Sequence, residues 1–228
     1  MNQWWRDISF LHWRVDPDRL ARLLPPGVRP DVHDDSAWVG LIPFRMVEAG
    51  LGHRGPVPWL GTFLETNVRF YTTDDAGRRG VVFASLDADR LPVVVAANAS
   101  FRVPYQWARM SCTPPALPRP EQGDPAGRTI VYESVRRSGA RVRSRVEVEV
   151  GELVAEPTAL ELFLTARFGL HTRALGRTWW IPNTHGPWPL RRARAVSVDD
   201  ELVAATGLVG VTGSAPDSVL FSSGVRTV

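Results

Sequence analysis

Short apolar and polar alternations, broken at close intervals by turn-forming residues, run through most of the chain. Residues 7–15 read as a strand. Asp16-Pro17-Asp18 then opens a short helix, with Asp16 as N-cap and Pro17 at the first helical position. Leu20, Leu23 and Leu24 give this helix one apolar face, and Pro25-Pro26-Gly27 ends it, because proline cannot continue a helix. Further strands are predicted over 28–33, 37–48, 62–73, 79–86, 107–113, 128–135, 141–150, 168–173, 177–182, 190–198 and 218–228. Helices are predicted over 91–99, from Glu156-Pro157-Thr158 to Ala166, and over 199–206. Asp34-Asp35-Ser36, Asp74 to Gly77, Ser138-Gly139 and Leu175-Gly176 supply turns.

Three strands add more than their existence. Residues 37–48 are apolar on both faces, which a strand buried on two sides requires. Val142, Ser144, Val146, Val148 and Val150 alternate with Arg and Glu, the pattern of a half-exposed strand. In 64–72, Glu65, Asn67, Arg69 and Tyr71 share one face by the two-residue period, while Leu64, Val68 and Phe70 share the other with Thr66. That polar face is either the outside of a barrel or the lining of a polar cavity. Many strands at this spacing close most readily into a barrel or a strongly bent sheet, which removes exposed edges. The expectation is one mainly β (α+β) domain over residues 1–228: a closed or strongly bent antiparallel, barrel-like sheet around a central cavity, with a few short outer helices. The Gly- and Pro-rich stretch from Gly50 to Gly61 is long enough to serve as a lid or cavity rim.

Composition narrows the chemistry. Hydrophobic residues are 44% and charged residues 22%, ordinary for a globular protein. Every one of the 27 basic residues is arginine, which lifts the pI to 9.7 while the net charge stays at +3. Arg141, Arg143 and Arg145 are followed on their strand by Glu147 and Glu149, which reads as a solvated face and gives no basis for nucleic-acid binding. No apolar run approaches the roughly 18 residues that span a bilayer, and the N-terminus has no signal-peptide pattern. With one cysteine, Cys112, no internal disulfide can form, and a cytoplasmic location is expected. The five histidines have no metal-ligand spacing, and neither a GxSxG elbow nor a phosphate-binding glycine loop occurs. No metal and no cofactor are expected. The expected partner is a small-molecule substrate or ligand, not nucleic acid or membrane; a homo-oligomer stays open.

What remains is the face of Glu65, Asn67, Arg69 and Tyr71, with Asp87 delivered by the returning strand. Two rigid corners accompany it: Phe101-Arg102-Val103-Pro104-Tyr105, and His185-Gly186-Pro187-Trp188-Pro189, the second more plausible as packing than as a site.

Several segments together resemble the YqjF-like family of uncharacterised bacterial proteins, within the acetoacetate decarboxylase-like superfamily. They include Trp13 to Pro17, Leu24 to Gly27, Ala37 to Gly40 with Pro43 to Met46, Glu65 to Arg69, Ser85 to Ala88, Pro104-Tyr105 with Ala108 to Met110, Glu161 to Arg173, and Pro187 to Leu190. The resemblance implies a heavily bent β structure around a cavity. It does not bring the decarboxylase chemistry with it. Those enzymes form an imine on a lysine just after a Phe-x-Pro corner, where this chain has Tyr105 and then Gln106; no lysine occurs anywhere in the 228 residues.

The first expectation is therefore an enzyme of the lyase, hydratase or cyclase kind acting on an oxo-acid or polyketide-like compound without a Schiff base. Glu65 would be general acid or base and Tyr105 the donor to a carbonyl or enolate oxygen. Arg69, with Arg45 or Arg102, would clamp a carboxylate. Asn67, Tyr71, Asp87 and Trp38 would complete the substrate site. The alternatives are a non-catalytic ligand-binding protein lined by Trp38, Trp59 and Trp188, and an interaction module whose cavity is filled by its own side chains.

Overall fold

The computed structural model describes residues 2–50, 61–101, 103–118 and 123–227. Its strands are β1 (Asn2–Val15), β2 (Val28–Pro30), β3 (Ala37–Gly50), β4 (Phe63–Asp74), β5 (Arg79–Ala88) and β6 (Tyr105–Thr113), followed by β7 (Thr129–Arg136), β8 (Arg143–Leu153), β9 (Gly169–Ala174), β10 (Arg177–Pro182), β11 (Leu190–Asp200) and β12 (Ser218–Thr227). The helices are α1 (Pro17–Ala21), α2 (Leu91–Phe101), α3 (Ala159–Thr165) and α4 (Leu202–Ala205). None of these is long and apolar enough to cross a membrane.

Nine strands close a ring in the order β1, β3, β4, β5, β6, β7, β8, β11, β12 and back to β1. It is not a regular barrel. Every contact in the ring is antiparallel except β5 with β6, which is parallel and only three pairs long, Leu86 with Tyr105 to Ala88 with Trp107. The ring is mainly antiparallel, as expected, with this one short exception. Helix α2 lies between β5 and β6 in sequence, and a helical crossover is what a parallel pair needs. β2 extends the sheet beside β4, while β9 and β10 branch from β5.

Residues from all nine ring strands meet in one apolar cluster, among them Leu11, Leu41, Val68, Ile130, Val148 and Phe221, with Val82, Cys112 and Ala195 packed against it. This is the ring interior. Leu20 of α1 and Leu202 and Val203 of α4 join it. The outer face of β1, β3, β4 and β12 is buried too. Ile8, Phe10, Ile42, Phe44, Phe63 and Leu220 pack against Val94 of α2 and Trp188. Beside them, Trp38, Tyr71 and Val81 pack against Phe163 and Leu164 of α3. The double apolar character of β3 follows from this second layer.

Several boundaries differ from expectation: β1 begins at Asn2 and α1 ends at Ala21. β2 stops at Pro30, and only an isolated bridge joins His33 to Ser36, because Asp34 and Asp35 turn the chain with φ of 50° and 57°. α4 is one turn long, since β11 stays paired with β8 out to Asp200. The expected lid between β3 and β4 falls on residues 51–60, outside the described residues, as do Trp59 and Arg102.

Candidate functional site

β4 places Glu65, Asn67, Arg69 and Tyr71 on one face, as its period requires, and all four are buried. The row lies on the outside of the ring, one of the two expected placements, but it is covered and not solvated. Val68 and Phe70 take the ring interior, so the polar row points outward; α2, α3 and the segment carrying Trp188 cover it. Direct cross-strand pairs set Phe44 beside Glu65, Ile42 beside Asn67 and Gly40 beside Arg69. The row is a polar stripe in an otherwise apolar layer.

Glu65 and Tyr105 meet at its α2 end. Tyr105 Oη donates to Glu65 Oε2 at 2.7 Å. Burial pushes the Glu65 carboxyl up to about 7 from 4.5, against the opposing hydrogen bonds of Tyr105 and Asn67. Burial, reinforced by the neighbouring Glu65 charge, holds the Tyr105 phenol well above its usual value. Tyr105 is fixed from behind: Asn98 of α2 accepts from its backbone N–H and donates to its carbonyl, both at 3.0 Å. Asn67 completes the group, and its Oδ1 is buried without a hydrogen-bond partner. The pair can therefore exchange a proton near neutral pH and offers a buried acceptor to a third group.

Arg69 and Tyr71 lie further along the stripe. Arg69 donates from Nε to Tyr71 Oη at 3.0 Å and from Nη2 to the Leu164 carbonyl at 3.2 Å. Tyr71 Oη donates to the same carbonyl at 2.9 Å. His12 Nε2 stands 2.6 Å from Tyr71 Oη. Since the phenol proton goes to Leu164, His12 is the donor in that contact, and its Nδ1 is left as a buried acceptor without a partner. Burial, with Arg69 and Arg167 nearby, holds His12 well below 6.5, so it is neutral. Gly40 permits this: a Cβ there would come within 3.1 Å of the His12 ring. His12 was missed in the sequence because histidines were weighed only by metal-ligand spacing. Its two-residue register with Ile8 and Phe10 would have placed it on the buried outer face.

Asp87 and Arg45 do not join Glu65. Asp87 pairs with Thr66, so it faces the ring interior, where it accepts from Ser134 Oγ and Arg136 Nε, each at 3.0 Å. Arg45 pairs with Leu64, also inward, and forms an ion pair with Asp7 at 3.5 Å. Arg45 follows the unbroken period of β3 inward with Val39 and Leu41, and the bulge between Phe83 and Ser85 turns Asp87 inward. Trp38 shares the Glu65 face but is fully buried against Tyr71 and α3 at the far end. The His185–Trp188 corner is packing: Trp188 Nε1 donates to the Thr165 carbonyl at 3.0 Å, and its ring contacts Trp5, Phe10 and His185. Arg145 pairs with Glu147 and Glu133 on the exposed face of β8, the solvated arrangement its strand pattern implied.

Comparison with known proteins agrees with this architecture. Solved structures of similar fold include the enduracididine biosynthesis enzyme MppR complexed with pyruvate. It shares 18% identity at a TM-score of 0.62, over 99% of this chain and 87% of that one. An acetoacetate decarboxylase-like enzyme from Sphingomonas wittichii RW1 matches at 17% identity and a TM-score of 0.62, over 99% and 89%. Acetoacetate decarboxylase from Legionella pneumophila matches at 13% identity and 0.60, over 100% and 84%. The fold is thus acetoacetate decarboxylase-like. In sequence, the chain is 30% identical to the uncharacterized protein YqjF of Bacillus subtilis (strain 168) over 223 residues, 96% of this chain and 86% of that protein. Residues 2–226 match DUF2071, described as an uncharacterized conserved protein, and the chain belongs to that family.

Proposed function

We propose that this protein is an enzyme that moves a proton on a small oxo-acid, with Glu65 as the base and Tyr105 as the donor to the substrate oxygen. The observation that carries this is the buried 2.7 Å contact between a phenol and a carboxyl that titrates near 7. A carboxylate poised near neutral pH is matched to taking a proton from carbon next to a carbonyl. In the step envisaged, the C–H bond breaks, its proton goes to Glu65, and the electron pair moves onto the carbonyl oxygen. Tyr105 then gives its hydrogen bond to that oxygen instead of to Glu65. Return of the proton at the same carbon, or loss of a leaving group from the next one, completes an exchange or a lyase reaction.

Arg69 would bind the substrate carboxylate. It lies four residues along β4 from Glu65, about 13 Å at strand rise, so a substrate held by both is longer than pyruvate, which tests the Glu65–Tyr105 pair alone. Two of its nitrogens already donate within the protein, which fixes the guanidinium plane for the remaining donors. The choice of oxo-acid rests on pyruvate bound to MppR and on the decarboxylase likeness. An imine on a lysine is excluded because the chain has none, and Tyr105 stands where the resemblance puts that lysine.

The test is deuterium exchange of the pyruvate methyl group in D2O, followed by proton NMR. The protein accelerates exchange above buffer, Glu65→Gln lowers the rate by about 10²-fold or more, and Tyr105→Phe lowers it less. Exchange no faster than in buffer, or unaffected by Glu65→Gln, rejects the assignment.

A further inference from the structure

A groove of about 320 Å³ opens along β5, and it includes neither Glu65 nor Arg69. It exists because β5 has an interrupted neighbour. On the edge away from β4, β9 pairs only at Val81 and β6 begins only at Leu86. Among the described residues, no strand pairs with 82–85 on that side. A bulge falls in the same stretch, between the pairs Phe83–Arg69 and Ser85–Val68. Val82 and Phe83 line the groove with Leu170 and Val103, and Pro25 and Pro26 form part of its wall.

The lining is apolar except for three consecutive residues of β9: His171, Thr172 and Arg173. Arg173 pairs across the hairpin with Thr178 and shares its face. Thr178 Oγ1 donates to the Pro26 carbonyl at 2.7 Å, which sets Arg173 beside the proline lip. Arg173 is exposed and forms no ion pair among the described residues, whereas Arg78, Arg79 and Arg167 around this hairpin are paired with Asp74 and Asp31. His171 is 2% exposed; Nδ1 contacts Thr72 Oγ1 at 2.9 Å, and Nε2 faces Asp74 Oδ2 at 3.7 Å. Burial lowers the pKa of His171, against the opposing pull of the Asp74 carboxylate. The groove has apolar walls at Val82, Phe83 and Leu170 and, at one end, Arg173, a cation without an ion pair among the described residues. Its volume sits at the lower end of small-molecule sites, about 300–1,000 Å³.

We propose that this groove binds an apolar monocarboxylate of medium chain length, with its tail along Val82, Phe83 and Leu170 and its carboxylate on Arg173. A single free guanidinium matches a single carboxylate in charge and geometry. The site is independent of the Glu65–Tyr105 pair.

Octanoate and 1-octanol, titrated calorimetrically into the full chain, separate the outcomes. Octanoate binds one to one and at least tenfold more tightly than octanol. Arg173→Gln removes that preference, Arg173→Lys restores part of it, and the His171 Cε1–H resonance shifts on binding. Arg173 is exposed, so these variants fold. No saturable binding, equal affinity for the alcohol, or octanoate affinity unchanged in Arg173→Gln would each overturn the proposal, the last by placing the anion elsewhere.

Discussion

At the scale of single residues, Glu65 is where burial and the proposed proton transfer meet. Its folded-state pKa lies near 7 and its ordinary value at 4.5, so the folded protein holds a proton that the unfolded chain has released between those values. The stability attached to the protonated form is present below about pH 4.5 and is lost as pH rises to about 7. Glu65→Gln removes this dependence. Urea unfolding shows the variant gaining on the parent protein by on the order of 3 kcal/mol between pH 4 and pH 8, at about 1.4 kcal/mol per pKa unit. A gap that does not move with pH means that Glu65 is solvated. The sequence singled out Glu65 and Tyr105, forty residues apart, but could not join them. Their contact depends on α2 returning the chain to the parallel β6, with Asn98 holding the Tyr105 backbone.

Between residues and the ring stand the elements, and here small irregularities decide which side chain faces where. β1 carries Trp5 on the outer face and then Ile8, Phe10 and His12, a change of parity made at Asp7, whose φ is +49°. β12 makes the matching change at Gly224, φ +122°, between Ser222 and Val225. A Cβ at Gly224 would lie 1.9 Å from the Trp5 carbonyl oxygen. Gly224→Ala therefore costs more than about 3 kcal/mol, read as a fall in the urea midpoint, because steric overlap adds to the strained φ. A loss under 1 kcal/mol would mean that the paired bulges are not as described. Strand positions were legible because β3, β4 and β8 keep a strict two-residue period. The bulges were not, since one extra residue leaves no mark on composition yet reverses every side chain beyond it. The misplacement of Asp87 has the same origin, the bulge between Phe83 and Ser85, whereas Arg45 keeps the period of β3 and faces inward with Val39 and Leu41.

For the whole molecule, the closed ring separates two environments that a reader of the sequence merges into one cavity. The inner one is apolar, with a buried ion pair between Asp87 and Arg136 at its polar end. The outer one, under α2 and α3, holds the Glu65 stripe. Ring closure and bending were legible from the strand count and from the segments shared with the family. The second layer was not, because the short helices and the β9–β10 hairpin carry no pattern that says which face they cover. Asp87→Ala leaves Arg136 buried without its partner and costs about 3–5 kcal/mol in equilibrium unfolding. It leaves pyruvate exchange intact in the protein that remains folded. Loss of exchange with stability preserved would place the chemistry inside the ring instead.

The central claim is that a carboxyl titrating near neutral pH sits against Tyr105 in this outer layer. The most direct measurement is a pH titration of the Glu65 side-chain carboxyl by carbon-13 NMR, assigned by its disappearance in Glu65→Gln. The account predicts a midpoint near pH 7 that moves higher in Tyr105→Phe, where the hydrogen bond favouring the charged form is gone. A midpoint near 4.5, unmoved by Tyr105→Phe, would contradict it.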